Sequence, residues 1–383
     1  MTPLSKRNAS ERPAARRRVL VAQSWWLDRM LEGVAQYAAA HNWILDFEMR
    51  WNHRIPLPGE WRGDGIIAYV GIAKPLPPLV QFIKAQKVPV VLTHLTDELE
   101  APSVILPHEE VGRTAARHLL SLNFRHFGFV EFADNVLEHG RRAGFQAEVE
   151  ERGQIFHHLR SKDLARQLAR LPRPMALFAI NDLNALAVIR ACLDAGYSVP
   201  EDFAIIGADN TEILCKFAPV PLSSVNCNFE KQGYAAAALL DRLMRGKKPP
   251  AEPILILPDG VTVRRSTDTL ALADPDAARA LRFLRDHYRE PVKLRQVAGL
   301  LAQSFRRAQI IFREATGRTL FQELMRLRLQ HAQTLMHDPK TKISTVAVES
   351  GFSNRYHFAR AFRRATGQTP KTFRARLLRA KAA

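Results

Sequence analysis

The sequence predicts an α/β body of two lobes followed by an all-α end that carries two helix-turn-helix units. Three observations predict it. The 383 residues carry a net charge of +18, split as +5 over residues 1–18, −2 over 19–273 and +15 over 274–383. Short apolar, β-prone runs alternate with amphipathic stretches from Val19 to Leu257, and only helical patterns follow Asp274. Finally, Phe312–Thr319 recurs as Phe362–Thr369, fifty residues on, with six of eight positions identical.

Composition bounds the rest. With 46% apolar and 25% charged residues the chain reads as globular, with length for two or three domains. No apolar run approaches the ~20 residues of a membrane helix. Residues 1–18 are polar and basic, which argues against a secretory signal. Cys192, Cys215 and Cys227 are too few and too irregular for a disulfide framework or a zinc site, so buried reduced thiols of a cytoplasmic protein are expected. A near-neutral body with a strongly basic end implies a polyanion partner for that end.

Taken in order, a basic tail (1–18) leads into a body (19–268) whose expected strands are Val19–Ala22, Ile44–Glu48, Gly65–Tyr69, Val88–Leu92, Phe127–Val130, Ala176–Ile180, Phe203–Gly207 and Ile254–Leu257. Expected helices between them are Trp26–Ala40, Glu109–Ser121, Arg141–Glu151, Asp163–Arg170, Leu183–Ala195 and Phe229–Met244. Strands separated by helices imply parallel sheets. A boundary falls near 265–277, where Asp274-Pro275 reads as an N-cap with proline in the first turn, and opens the basic domain, 275–383.

Each copy of the repeat is a helix, a short turn and a second helix stopped by glycine. On the helix after Asn354, Phe358, Ala361, Phe362 and Ala365 form an apolar face at 100° per residue, opposite Tyr356, Arg360 and Arg363. An Arg/Tyr face on a helix suits a DNA major groove, where arginine chelates guanine. Ser353 and Asn354 can cap that helix or bind phosphate.

With these residues in place, the span from about Ala277 to Arg376 resembles the AraC/XylS-type DNA-binding domain. The second-unit pattern stands as Ile343, Val346-Ala347, Gly351-Phe352, Phe358, Phe362, Gly367, Thr369-Pro370 and Phe373-Arg374. The joining helix matches at Arg328, Ala332 and Leu335-Met336. The resemblance implies that Arg355, Tyr356 and Arg360 reach bases, with Asn354 and Arg363 beside them. In the first copy the outward set is Arg306, Gln309, Ile310 and Arg313. That copy departs from the family at Ala308, where leucine is usual, and at Ile310, where arginine is common. Ile310 cannot chelate guanine but can pack on a thymine methyl.

The body carries none of the phosphate-loop, dinucleotide, nucleophile-elbow or zinc-protease signatures, so no enzyme, cofactor or metal is expected. His157-His158 are adjacent rather than four apart, which is wrong for a helical metal pair. Asp64, Asp182 and Asp209 are candidate polar site residues, each equally a loop or capping aspartate. The runs Phe178–Ala185, Gly196–Asp202 and Ile206–Asn210, with Leu222–Val225 and His118–Leu120, are similar to the LacI/GalR-type sugar sensors, a fold related to periplasmic binding proteins. The likeness covers about 19–265 and departs at Pro107-His108-Glu109, where an aspartate is usual.

That resemblance implies a ligand cleft between two lobes at the carboxyl ends of their strands. It places Asp209 and Arg141 in the cleft, then Asn181 and Asp182, with Ser24, Trp25 and Asp28 from the other lobe. Together the two likenesses imply a cytoplasmic, sequence-specific transcription regulator, an activator, binding double-stranded DNA as a homodimer and contacting RNA polymerase. Its effector would be a sugar such as xylose or, in the alternative, a purine or other small molecule. A binding-protein-like enzyme with an incidental basic tail is the remaining alternative, and the repeat argues against it.

Overall fold

The computed structural model describes residues 16–23, 27–47, 49, 55, 59–71, 77–269, 274–301, 304–336, 339 and 341–382. The chain divides into two compact units, one up to Asp268 and one from Thr269.

The first unit has two sheets. The first sheet runs β2 (Ile44–Asp46), β1 (Arg18–Gln23), β3 (Gly65–Tyr69), β4 (Val90–Leu92), all parallel. Against it pack α1 (Asp28–Ala40), α2 (Pro77–Ala85) and α8 (Phe229–Met244). The second sheet runs β12 (Val261–Thr262), β10 (Ser223–Val225), β9 (Phe203–Ala208), β8 (Met175–Ala179), β6 (His126–Glu131), β7 (Ile155–Arg160), and only the β12 pairing is antiparallel. Its helices are α3 (His108–Leu120), α4 (Val136–Glu151), α5 (Leu164–Leu168), α6 (Asp182–Asp194) and α7 (Glu212–Lys216). A two-residue pairing joins β5 (Val104–Ile105) to β11 (Ile254–Leu255) where the chain passes between lobes. The chain passes again between β10 and α8, so each lobe is built from discontinuous segments.

Central strands such as β9 are buried along their whole length, so they read as continuous apolar runs rather than alternating ones. Helix pairs close each lobe by small residues. A Cβ on Gly112 of α3 would fall 2.0 Å from the Arg141 carbonyl oxygen of α4, and one on Gly233 of α8 would fall 1.9 Å from the Met30 carbonyl of α1.

Several expectations need correction. The sequence reading omits β5, β7, β10, β12, α2 and α7. β7 (IFHHLR) carries paired histidines on an exposed edge strand, so it lacks an apolar signature. β10 (SSV) is fully buried yet hydroxylic: Ser223 Oγ lies 3.0 Å from the Arg264 carbonyl, and Ser224 Oγ 2.5 Å from Asp182 Oδ1. Sequence ranges overrun β2 at Phe47, with Glu48 outside the described residues, and begin β4 two residues early, at Val88. α4 begins at Val136 rather than Arg141, because Asn135 caps it by accepting from the Glu138 amide. Trp26, expected to open α1, lies outside the described residues. Asp64 is a pinning residue at the start of β1, its carboxylate accepting from the Arg18 amide at 2.6 Å.

The second unit is all helical: α9 (Pro275–His287), α10 (Leu294–Gly299), α11 (Phe305–Thr316), α12 (Leu320–Leu335), α13 (Ile343–Glu349), α14 (Arg355–Thr366) and α15 (Pro370–Ala382). Asp274 caps α9, accepting from the Asp276 and Ala277 amides. Two cores fill it. Leu320, Leu324 and Leu327 of α12 join Val297, Ala308 and Phe312 in the first. Leu329, Ala332 and Met336 join Val346, Phe358 and Phe362 in the second, and Met325 touches both. One helix is therefore shared by both units of the repeat.

Candidate functional site

Strands of both lobes end at one place. Arg141, on α4, is 2% exposed; one terminal nitrogen donates to the Ile180 carbonyl after β8, and the other lies 3.0 Å from Asp209 Oδ1 after β9. Cys227, after β10, sets its sulfur 3.7 Å from Arg141 and 3.5 Å from the same Asp209 oxygen. Burial disfavours the guanidinium charge, and the Asp209 carboxylate overrides it, so Arg141 stays charged. Asp209 is 19% exposed, so the pair presents its carboxylate, not its guanidinium, to solvent.

The Asp209 backbone is strained, with φ of +97° followed by +52° at Asn210. Non-glycine residues hold such angles at a cost of ~1–3 kcal/mol, and only where surroundings impose them. Here the Asp209 amide bonds the Val225 carbonyl, the Asn210 amide bonds Ser224 Oγ, and Arg264 donates to Asn210 Oδ1 at 2.9 Å.

From the first lobe come Tyr69, at the end of β3, and His94, just after β4, their rings 4.4 Å apart. Burial, then the charge of Asp209, pushes the Tyr69 phenol up to about 12, so it remains protonated. His108, at the start of α3, is pushed down to about 3 by burial and by Arg141.

The structure brings Arg141 and Asp209 together. Asn181 instead spends its side chain capping α6, accepting from the Asn184 amide. Asp182 points inward: its carboxylate accepts from the Thr211 amide at 2.6 Å and from Ser224. Burial, with Asp209 nearby, raises its carboxyl to about 7. Asp28 is exposed in the first turn of α1, and Ser24 and Trp25 lie outside the described residues. Tyr69, His94 and Cys227 were missed. For the first two, position at strand carboxyl ends was the available signal; a lone cysteine offers none.

In the second unit the two copies place a cap, a stop and inward side chains at matched positions. Ser304 caps α11 by accepting from the Arg307 amide, and Asn354 caps α14 by accepting from the Tyr356 and His357 amides. Gly317 and Gly367 end the helices, both at φ +72°. Thr316 and Thr366 bond the carbonyls of Phe312 and Phe362 in the same way. Inward lie Ala308 and Phe312, or Phe358 and Phe362. Outward lie Arg306, Ile310 (40% exposed) and Arg313, with Gln309 half-buried; in the second copy Arg355, Tyr356 (69% exposed), Arg360 and Arg363 face out. Arg355 donates to the Tyr356 hydroxyl and lies 4.9 Å from its ring centroid. Ala365, assigned above to the apolar face, is exposed, because α14 has only a terminal turn left to cover there.

Comparison with known proteins agrees with both halves. Residues 116–267 match a periplasmic binding protein-like domain and residues 297–376 a helix-turn-helix domain. The xylose operon regulatory protein of Escherichia coli K12 is 28% identical over 365 residues, spanning 90% of this chain and 93% of its own. The chain is a DNA-binding transcription regulator, similar along its length to the xylose operon regulatory protein. A solved structure of a xylose-binding transcription activator has the regulator's fold, with a TM-score of 0.72 at 24% identity over 94% of this chain and 98% of that one. The sensor half alone matches a transcriptional regulator in complex with cellobiose, with a TM-score of 0.54 at 21% identity, covering 66% of this chain and 85% of that one. The regulator thus reads DNA through its second unit and carries a ligand-sensor fold in its first. Among the described residues no helix is long and apolar enough to cross a membrane.

Proposed function

We propose that the effector is a neutral sugar of the xylose class, bound between the two lobes of the sensor. The observation that carries this is the Arg141–Asp209 pair, buried on one side and presenting a carboxylate on the other. A carboxylate accepts from paired hydroxyls, and Arg141 pairs with it and orients it. The end-to-end likeness to a xylose operon regulatory protein supports the same choice. Arg141 and Asp209 would meet the sugar. Asn181 and Asp182 would shape the loops behind them, and Ser24, Trp25 and Asp28 would complete the first-lobe side.

Effector binding shifts the population toward the closed sensor, and this changes how the basic domains meet DNA. The regulator acts in the cytoplasm as a homodimer, and as an activator it contacts RNA polymerase. Arg355, Tyr356, Arg360 and Arg363, with Asn354 at the helix start, face bases and phosphates in one groove segment. Arg306, Gln309 and Ile310 face the neighbouring one.

Titration calorimetry of the full-length protein against D-xylose, L-arabinose, D-glucose and hypoxanthine tests the effector. Saturable binding of a pentose, lost in Asp209→Ala, is expected. Binding of hypoxanthine and of no sugar overturns the sugar assignment in favour of a purine.

A further inference from the structure

Two histidines stand beside the Arg141–Asp209 pair with unused nitrogens. His94 is 5% exposed, and its Nε2 lies 3.2 Å from the Gly71 carbonyl oxygen. A carbonyl can only accept, so Nε2 carries the proton and Nδ1 holds a bare lone pair. That Nδ1 is buried with no hydrogen-bond partner, as are His108 Nδ1 and Arg141 Nε. Buried polar atoms without partners are rare, and each calls for a reason.

These three are neighbours. The charge of Arg141 and the ring of His94 both act on His108, and His94 stacks obliquely on Tyr69, which itself feels Asp209 and Arg141. Burial pushes both imidazoles toward the neutral form, in which each ring keeps one bare nitrogen. Around one ion pair the site therefore offers acceptor nitrogens, a carboxylate and a spare N–H.

We propose that His94 Nδ1 accepts a hydrogen bond from one hydroxyl of the bound effector, with His108 serving a second, making His94 a specificity determinant for an uncharged polyol. This rests on the sugar reading above. A hydroxyl can donate to that lone pair, whereas a carbonyl, ether or carboxylate oxygen at the same point faces it unpaired. A site built to pair a hydroxyl rejects the analogue that lacks it more strongly than an apolar pocket rejects a lost methylene.

The test is calorimetry on the full-length protein with D-xylose and its monodeoxy analogues. His94→Ala is expected to weaken xylose roughly tenfold, as for a lost buried hydrogen bond. His94→Asn, whose amide oxygen can stand near the Nδ1 position, should recover most of that loss. One deoxy analogue should bind wild type and His94→Ala equally, identifying the hydroxyl concerned. Xylose binding to His94→Ala within twofold of wild type, or an equal loss for xylose and every analogue, overturns the assignment. Should neither variant fold, the wild-type analogue series decides, and no analogue weakened roughly tenfold overturns it. Arg141→Ala and Asp209→Ala separate the two readings. If they lose xylose and His94→Ala does not, only the histidine assignment falls. If they too bind like wild type, the cleft reading falls with it.

Discussion

At the scale of single residues, Arg141 shows how much the sensor site depends on pairing. A buried charge is tolerable because Asp209 and the Ile180 carbonyl face it; removing one partner of a buried pair is far costlier than the pair is worth. Asp209→Ala is therefore expected to destabilise the sensor by about 3–5 kcal/mol and to abolish effector-induced stabilisation. Denaturant melts with and without xylose read both. His118 gives a second prediction. It donates to Thr267 Oγ1, which itself donates to Ser223 Oγ, and burial lowers it from 6.5 to about 4. The folded state then binds fewer protons than the unfolded chain between pH 6.5 and 4, so stability is lost as pH falls through that window. The loss should reach about 2–3 kcal/mol by pH 4. Melting temperatures of His118→Gln should lack this contribution while keeping the bond to Thr267; an unchanged acid slope refutes it. Asp209 and Arg141 were legible because a strand end and a family pattern marked them. Tyr69 and His94 stand at strand ends too, but no family pattern singled them out.

Secondary-structure elements carry the repeat. α11 and α14 begin at fifty-residue offset caps, stop at glycines with the same φ, and bury paired side chains against a shared α12. This was legible because caps, glycine stops and 3.6-residue periodicity are all local signals. β7 and β10 were not, because an edge strand and a hydroxyl-bonded strand lack the apolar run that marks a buried one. Gly367→Ala places a Cβ at φ +72° and should cost the second unit about 1 kcal/mol, measured by chemical denaturation. The two outward faces differ at several matched positions, among them Ile310 against Arg360, both exposed. Base changes under the second unit should therefore cost more than those under the first. Arg355→Ala and Arg360→Ala should each weaken specific binding by about 1–3 kcal/mol. Ile310→Arg should shift preference at one base pair, chiefly where a thymine methyl was met. A base-substitution scan of the operator showing equal sensitivity under both units, with no such shift, refutes the asymmetry.

Across the whole molecule, the charge divides as the functions do: a near-neutral sensor, and a DNA reader carrying +15. Specific binding should fall steeply with salt, each phosphate contact adding about 0.9 to the log–log slope. What ties the strand ends of the sensor to the segment that leaves it was not legible in the sequence, because it runs through long-range hydrogen bonds. Asn210, next to Asp209, accepts from Arg264, which also donates to the Leu222 carbonyl. Arg264 leads into a short 3₁₀ turn, Arg265–Thr267, whose Ser266 bonds the Ile205 carbonyl and whose Thr267 bonds Ser223. The first unit ends one residue later, at Asp268. A change at the strained Asp209–Asn210 backbone thus bears directly on the segment that leaves the sensor. Allostery needs an element that both sites bias, and this turn is placed to be one. Arg264→Ala is expected to bind xylose within about threefold of wild type and to keep the wild-type salt slope on DNA, because it touches neither ligand. Its DNA affinity should no longer respond to xylose. Calorimetry and a gel-shift titration with and without sugar read the two halves separately. A variant that keeps the full wild-type response to xylose removes Arg264 from the coupling.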